Sequence, residues 1–214
     1  MTLKAKICGL STPEAVHAAL DGGAAYLGFV FFEKSPRNVA PAPAARLAEP
    51  ARARGAKVVA LAVDPSDAQV DEIARVLRPD LIQLHGQESP ARVRAVAARV
   101  GVGVIKALPV ADAADLAAAA AFEPVVEHLM FDAKPPKDAA MPGGHGRAFD
   151  WTLLAGRRFQ RPWFLAGGLD PWNVAEAAAA SGAPLVDVSS GVERGAGLKD
   201  PALITAFLDA VRRV

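Results

Sequence analysis

Lys4-Ala5-Lys6-Ile7-Cys8-Gly9-Leu10-Ser11-Thr12-Pro13-Glu14 is the stretch from which the fold is read. Its first six residues alternate polar and apolar, the period of a short strand, and stop at a glycine. The next residues open a helix: Ser11 or Thr12 caps it, Pro13 suits its first turn, and Glu14 completes a Ser-x-x-Glu capping box. Cys8, the only cysteine in the chain, therefore ends a strand that feeds directly into a helix. In barrels of alternating strands and helices, that is the end where active sites are built.

The same rhythm runs through the chain. Apolar strands are expected at 25–31, 57–63, 80–84, 102–107, 125–131, 163–166 and 185–188. Helices are expected at 42–54, from the Ser66-x-x-Gln69 cap to Leu77, from Ser89-Pro90, from Asp112, briefly from Phe149-Asp150-Trp151, from Asp170-Pro171, and from Asp200-Pro201 to Arg213. Eight near-continuous apolar strands alternating with helices make an α/β chain with a parallel sheet covered by helices. The count of eight predicts closure into a single-domain (β/α)8 TIM barrel over residues 1–214. The rival, an open doubly wound sheet, usually carries a glycine fingerprint after its first strand, and none follows Cys8.

Composition narrows the function. The 214 residues are 52% hydrophobic and 22% charged, as in a well-packed globule, and the net charge of +1 creates no field that draws nucleic acid or a membrane surface. A lone cysteine precludes an internal disulfide and fits a reducing, cytoplasmic setting. The first residues lack the apolar core of a signal peptide, and no apolar run reaches the ~18 residues of a membrane span. The expected partner is a small phosphorylated substrate, and the expected assembly a monomer or homodimer.

The phosphate expectation comes from two turns. The seventh and eighth strands end in Gly167-Gly168 and Ser189-Ser190-Gly191. In barrels the loops at these places often cup a phosphate with backbone N–H groups, and glycine lets the backbone approach the anion. Either turn alone would read as an ordinary tight turn. Cys8 is either a buried inert thiol or, as thiolate, a nucleophile or base. Asp132 closes the apolar run Leu129-Met130-Phe131, where it is a helix cap, an ion-pair partner of Lys134 or Lys137, or a general acid. A thiolate base with a carboxylic acid suits proton transfer in an isomerisation. Arg37 stands on the same rim, either solvated or clamping a carboxylate in two-pronged fashion. Asp187 interrupts the eighth strand and needs a partner, a substrate hydroxyl or a lysine. His85 ends the fourth strand and is expected to make a loop hydrogen bond; with Asp64 it would hint at a metal, but no His-x-His pair supports one. His17 and His128 read as structural.

Together these motifs resemble a family. Lys6-Ile7-Cys8-Gly9-Leu10, Ser35-Pro36-Arg37, Gln83-Leu84-His85-Gly86, Phe131-Asp132, Leu165-Ala166-Gly167-Gly168-Leu169 and Asp187-Val188-Ser189-Ser190-Gly191-Val192-Glu193 are similar to phosphoribosylanthranilate isomerase, the cofactor-free and metal-free barrel enzyme of tryptophan biosynthesis. The resemblance implies an Amadori rearrangement in which Cys8 is the base at ribose C2 and Asp132 the acid at the ring oxygen. It implies that Arg37 faces the anthranilate, that Asp187 lies near the ribose, that His85 lines the site, and that Gly167, Gly168, Ser190 and Gly191 hold the phosphate. Gly143-Gly144-His145-Gly146 stands where the family usually has Gly-Gly-Thr-Gly. The histidine-pathway sugar isomerase of the same fold has an aspartate at the position of Cys8, and a non-catalytic phosphate-binding barrel would need neither Cys8 nor Asp132.

Strand parity adds one expectation of its own. Lys4, Lys6 and Cys8 share a face, so Lys6 points into the barrel one layer below Cys8, with Asp187 as its counter-charge. An ammonium there either lowers the Cys8 pKa or only neutralises the buried acid, with the thiol left unaffected.

Overall fold

The computed structural model describes residues 2–135, 143, 144, 146 and 148–214. Eight parallel strands close in chain order into a barrel. They are β1 (Lys4–Cys8), β2 (Tyr26–Phe31), β3 (Lys57–Ala62), β4 (Leu81–Leu84), β5 (Gly103–Val110), β6 (His128–Ala133), β7 (Trp163–Leu165) and β8 (Leu185–Val188). Closure comes from β8 pairing back onto β1, with Lys4 beside Leu185 and Lys6 beside Asp187. A small antiparallel hairpin, β9 (Glu193–Gly195) with β10 (Leu198–Lys199), follows β8 and had no expectation in the sequence reading.

Three of the four helices after the early strands, and the one at the end, begin where the capping residues stand. In α1 (Pro13–Asp21) the cap is Thr12, whose hydroxyl accepts the Ala15 N–H at 3.3 Å; Ser11 is one residue too early, so its box with Glu14 does not form. The helix α2 (Pro41–Ala53) follows β2. Ser66 caps α3 (Asp67–Leu77), Ser89 caps α4 (Pro90–Val100), and Asp200 caps the last helix, Pro201–Arg212.

Cover is thinner over β5 to β7, and here the expected helices shrink. After β5 the helix expected from Asp112 is a 3-10 turn (Asp115–Ala118), a single α-turn α5 (Ala119–Phe122) and a second 3-10 turn (Glu123–Val125). The cause is local: the Asp115 carboxylate takes the N–H groups of Ala111 and Asp112, and Asp112 takes those of Ala114 and Asp115. Those side chains offer the backbone a turn in place of a helix. After β6 there is a 3-10 turn, Trp151–Leu154, started by Asp150. After β7, α6 (Val174–Ser181) begins later than Asp170-Pro171, because the Asp170 carboxylate accepts from both Trp172 and Asn173 and holds them in a turn. With α7 as the Pro201–Arg212 helix, no helix of the described residues is long and apolar enough to cross a membrane.

Burial follows strand alternation. One cluster, including Ile7, Leu27, Phe29, Phe131, Ile204 and Phe207, fills the space between strands and helices. A separate cluster inside the barrel contains Tyr26, Val59, Leu81, Ile105, Met130 and Phe164. Lys6 and Gln83 are fully buried polar residues on the inward faces of β1 and β4. The interior is thus packed apolar below and becomes polar towards the carboxyl ends of the strands.

Phe207 sits on α7 with no exposed surface, whereas Leu198 on β10 is more than half exposed. Phe207→Ala is expected to lower unfolding free energy by about 3–5 kcal/mol in urea titrations. Leu198→Ala is expected to change it by less than about 0.5 kcal/mol.

Candidate active site

A pocket opens at the carboxyl ends of the strands. Cys8, Arg37, His85, Asp132, Gly167, Gly168, Asp187 and Ser190 all line it. Gly191 lies in an adjoining cleft that shares Arg37, Gly168 and Ser190. The nine residues come from six strand ends, because a closed parallel barrel delivers every strand to one rim.

At the β1–β8 seam the parity argument holds. Lys6 Nζ donates to Asp187 Oδ1 at 2.6 Å with the lysine side chain fully buried. Cys8 lies one layer above, opposite Gly28 on β2. A Cβ on Gly28 would stand 2.9 Å from the Cys8 sulfur and 3.1 Å from Lys6 Nζ, so only glycine leaves both groups in place. Burial by itself would strip Lys6 of its proton, but the Asp187 carboxylate and the Cys8 sulfur outweigh it, and its pKa rises above the ordinary lysine value. For Cys8 the sequence expectation is corrected in its net direction. Burial pushes the thiol up, Lys6 pulls it down, Asp187 pushes it up again, and the balance is a raised pKa. Lys6 acts in the expected sense but does not win.

On the opposite side, Asp132 Oδ2 meets His85 Nε2 at 3.0 Å, and His85 Nδ1 lies 3.1 Å from the Gln83 amide nitrogen. Asp132 is therefore neither a helix cap nor a partner of Lys134, which binds Asp115 instead; Lys137 lies outside the described residues. His85 makes this hydrogen bond to a carboxyl on β6, two strands away, not within its own loop. The loop is held from below by a pair that the sequence reading missed. Lys106 on β5 donates to Glu88 at 2.7 Å and to the Gly86 carbonyl at 2.8 Å, while Glu88 accepts the N–H groups of Asp64 and Gly86. Asp64 takes the Gln87 N–H at 2.7 Å. Among the described residues no group of three or more His, Cys, Asp and Glu side chains gathers as metal ligands would. His17 is exposed on α1, and His128 is buried between the rings of Tyr26 and Phe164.

Arg37 is buried, not solvated. Its Nε and Nη2 form a two-pronged pair with Glu193 at 2.7 and 2.8 Å. Its Nη1 is the nearest atom, 2.6 Å, to where a Cβ on Gly144 would stand. Lys199 on β10 donates to the same Glu193 at 2.5 Å and to the Ser189 carbonyl at 2.9 Å. For Glu193, burial pushes the pKa up, but hydrogen bonds from Arg37 and the charge of Lys199 bring it below the ordinary carboxylate range. For Lys199, burial outweighs Glu193 and lowers the pKa. Glu193 has two cations beside it, whereas Lys199 has one carboxylate and a guanidinium nearby that also pushes it down. Glu193 stood in the sequence motif without a role. Its charge beside Ser189-Ser190-Gly191 was the available signal, and Arg37 lies too far away in sequence to be recognised as its partner.

The two turns adjoin. Gly167 and Gly168 have φ of 86° and 67°, the left-handed region that glycine enters without strain. A Cβ on Gly191 would collide with the Leu169 carbonyl, so the turns after β7 and β8 pack directly against each other. The sequence expectation for His145 falls outside the described residues.

The seam electrostatics make a testable statement. Alkylation of Cys8 by iodoacetamide should follow a thiol that titrates above its ordinary value. In Lys6→Met the titration should move higher still, because the stronger of the two cations that favour thiolate is gone, leaving Lys199, and Asp187 remains. A thiol curve that is unmoved in folded Lys6→Met would mean that Lys6 is felt by Asp187 alone.

The comparisons bear on this arrangement. The family profile described as "PRAI: N-(5'phosphoribosyl)anthranilate (PRA) isomerase" matches residues 5–210. A Caulobacter vibrioides protein named N-(5'-phosphoribosyl)anthranilate isomerase is 69% identical over 209 residues, covering 98% of this chain and 95% of the relative. The crystal structure of phosphoribosyl anthranilate isomerase from Thermotoga maritima superposes with a TM-score of 0.87 at 31% identity, covering 100% of both chains. A structure of the isomerase in complex with reduced 1-(o-carboxyphenylamino)-1-deoxyribulose 5-phosphate superposes with a TM-score of 0.82 at 29% identity, again over 100% of both chains. Barrel, motif order and sequence agree over nearly the whole length, and the chain belongs to the N-(5'-phosphoribosyl)anthranilate isomerase family.

Proposed function

We propose that residues 1–214 act as one catalytic domain that converts N-(5-phosphoribosyl)anthranilate to 1-(2-carboxyphenylamino)-1-deoxyribulose 5-phosphate, a step of tryptophan biosynthesis. The observation that supports this best is that Cys8 and Asp132 line one pocket together with the two turns at Gly168 and Ser190.

In this reading Asp132 gives its proton to the furanose ring oxygen as the C1–O bond breaks, and the anilino nitrogen lone pair forms the C1=N bond of a Schiff base. Cys8, as thiolate, then removes the proton from C2. The C2–H electrons form C1=C2, and the C1=N electrons return to nitrogen. The enol at C2 tautomerises to the ketone, so the substrate is isomerised with no atom gained or lost. The ring-oxygen proton and the C2 proton each have a side chain to give or take them, the tautomerisation exchanges its protons with solvent, and no step calls for a cofactor or metal. The thiol has to enter as thiolate, and its raised pKa means that only a small fraction is ready at neutral pH. A phosphate seated at Gly167, Gly168, Ser190 and Gly191 and an anthranilate carboxylate near Arg37 Nη1 put the ribose between them, with Asp187 and His85 beside it. Charge–dipole contact with backbone N–H groups and one guanidinium suits a substrate with an anion at each end. The residues named here all belong to one chain, which suits a monomer or homodimer, and the single thiol suits the cytoplasm.

Two experiments test the reading. Cys8→Ser and Asp132→Asn should each remain folded and bind substrate, yet lose about 10²–10⁴-fold in kcat, the usual worth of a positioned acid or base. Turnover near wild type in either variant would remove that residue from its role. Inorganic phosphate should compete with substrate. Gly168→Val should raise KM and weaken that competition, since a branched side chain blocks the left-handed turn. Arg37→Ala should raise KM while leaving phosphate inhibition unchanged; equal loss of both would put Arg37 at the phosphate end.

A further inference from the structure

The chain Gln83–His85–Asp132 has a property that the reaction scheme does not use. Gln83 is fully buried on β4, and its Oε1 has no hydrogen-bond partner among the described residues. Its Nε2 faces His85 Nδ1 at 3.1 Å and otherwise only the Met130 sulfur at 3.3 Å. A thioether is a weak acceptor. Turning the amide end for end therefore exchanges one unpartnered polar atom for another, and nothing strong pins it in either orientation.

The two orientations demand different proton arrangements. With the amide N–H towards Nδ1, a neutral imidazole must carry its proton on Nε2, and it donates that proton to the Asp132 carboxylate. With the amide oxygen towards Nδ1, the imidazole proton sits on Nδ1, and Nε2 accepts from a protonated Asp132. The second arrangement holds one more proton, and it is the one in which Asp132 has a proton to give. Once that proton has gone to substrate, the carboxylate is best met by an Nε2–H, and the first arrangement returns. His85 keeps about an eighth of its side chain exposed, so water can exchange the ring proton.

A second feature guards this pair. A Cβ on Gly143 would stand 2.8 Å from Asp132 Oδ2 and 3.1 Å from His85 Nε2, so the Gly143 backbone lies directly against their hydrogen bond. The other charged or titratable groups lining the pocket are Cys8, Arg37, Lys134 and Asp187. Beneath the His85 loop, Lys106 is paired with Glu88, and Asp64 is bound to backbone.

We propose that Gln83 is a positioning residue for the acid half of the reaction: by turning its amide to present donor or acceptor, it partners His85 Nδ1 in either tautomer and so lets Asp132 regain its proton between turnovers. This rests on the reading of Asp132 as the acid. Gln83→Met removes both the donor and the acceptor at similar volume, and Gln83→Glu keeps only an acceptor. In the pH profile of kcat, the alkaline limb should stay in place in Gln83→Met, which loses donor and acceptor alike, and move up by about one pH unit in Gln83→Glu, which keeps only the acceptor. kcat at neutral pH should fall on the order of tenfold in Gln83→Met with KM little changed. ¹⁵N NMR of the His85 ring in the wild-type protein should show Nδ1 protonated on the acid side of that limb and unprotonated on the alkaline side. A limb that stays put in both folded variants, with kcat reduced evenly at every pH, would reduce Gln83 to a packing residue. If neither variant folds, an Nδ1 that stays unprotonated on the acid side overturns the proposal by itself. Full turnover in Asp132→Asn would instead remove the acid assignment, a failure that the His85 spectrum distinguishes from the first.

Discussion

The barrel closes where β8 pairs with β1, and at that seam a fully buried ammonium meets a carboxylate at 2.6 Å. Two charges taken out of water are costly unless they are held in close contact, and stripping either partner leaves the other stranded, at a cost of about 3–5 kcal/mol. The Lys6–Asp187 pair therefore favours one register of β1 against β8, since a one-residue slip would turn one of the charges towards the apolar layer of the helices. The rest of the mouth inherits that register. Cys8 is two residues beyond Lys6, and the Ser189-Ser190-Gly191 turn begins two residues beyond Asp187, so a single seam sets the thiol beside the phosphate turn.

Three polar clusters share the pocket, each closed within itself. Lys6, Asp187 and Cys8 occupy the seam; Gln83, His85 and Asp132 bridge β4 and β6; Arg37, Glu193 and Lys199 bind the loop after β2 to the hairpin after β8. Within each cluster a buried charge or polar group finds its partners nearby, as a low-dielectric interior requires. The division also separates tasks in the proposed reaction. The base, the acid and the anthranilate-facing cation sit in different hydrogen-bond networks, although the charge of Lys199 reaches Cys8 across two of them. The Arg37–Glu193 pair has a further effect: with Nε and Nη2 engaged, the guanidinium is fixed in orientation and presents Nη1 alone.

The sequence by itself determined the barrel and most of the positions around its mouth. Eight apolar runs of strand length and the caps at Thr12, Ser66, Ser89 and Asp200 are local signals, readable because side-chain alternation and N-cap bonding depend on neighbours in sequence. The inward turn of Lys6 followed from parity alone, and Asp187 followed as the one acid in the adjoining strand. The candidate site was legible for a topological reason: in a closed parallel barrel every strand ends on one rim, so residues far apart in sequence can be assembled from strand ends without coordinates. What local reading missed at this level was competition, as where Asp112, Asp115 and Asp170 bind backbone N–H groups and replace helix with turn.

Tertiary structure decided the pairings and the balance of charge. Arg37 and Glu193 lie 156 residues apart, and His85 and Asp132 lie 47 apart; no periodicity links them. Whether Arg37 was free or paired, and whether Asp132 met a lysine or an imidazole, depended on which loops fold over the rim. The Cys8 thiol is the clearest case. Its neighbour Lys6 was legible and acts in the expected sense, but the net direction is set by burial and by Asp187 as well. Desolvation grows with everything packed around a group, from every strand at once, and that sum exists only when the barrel is closed.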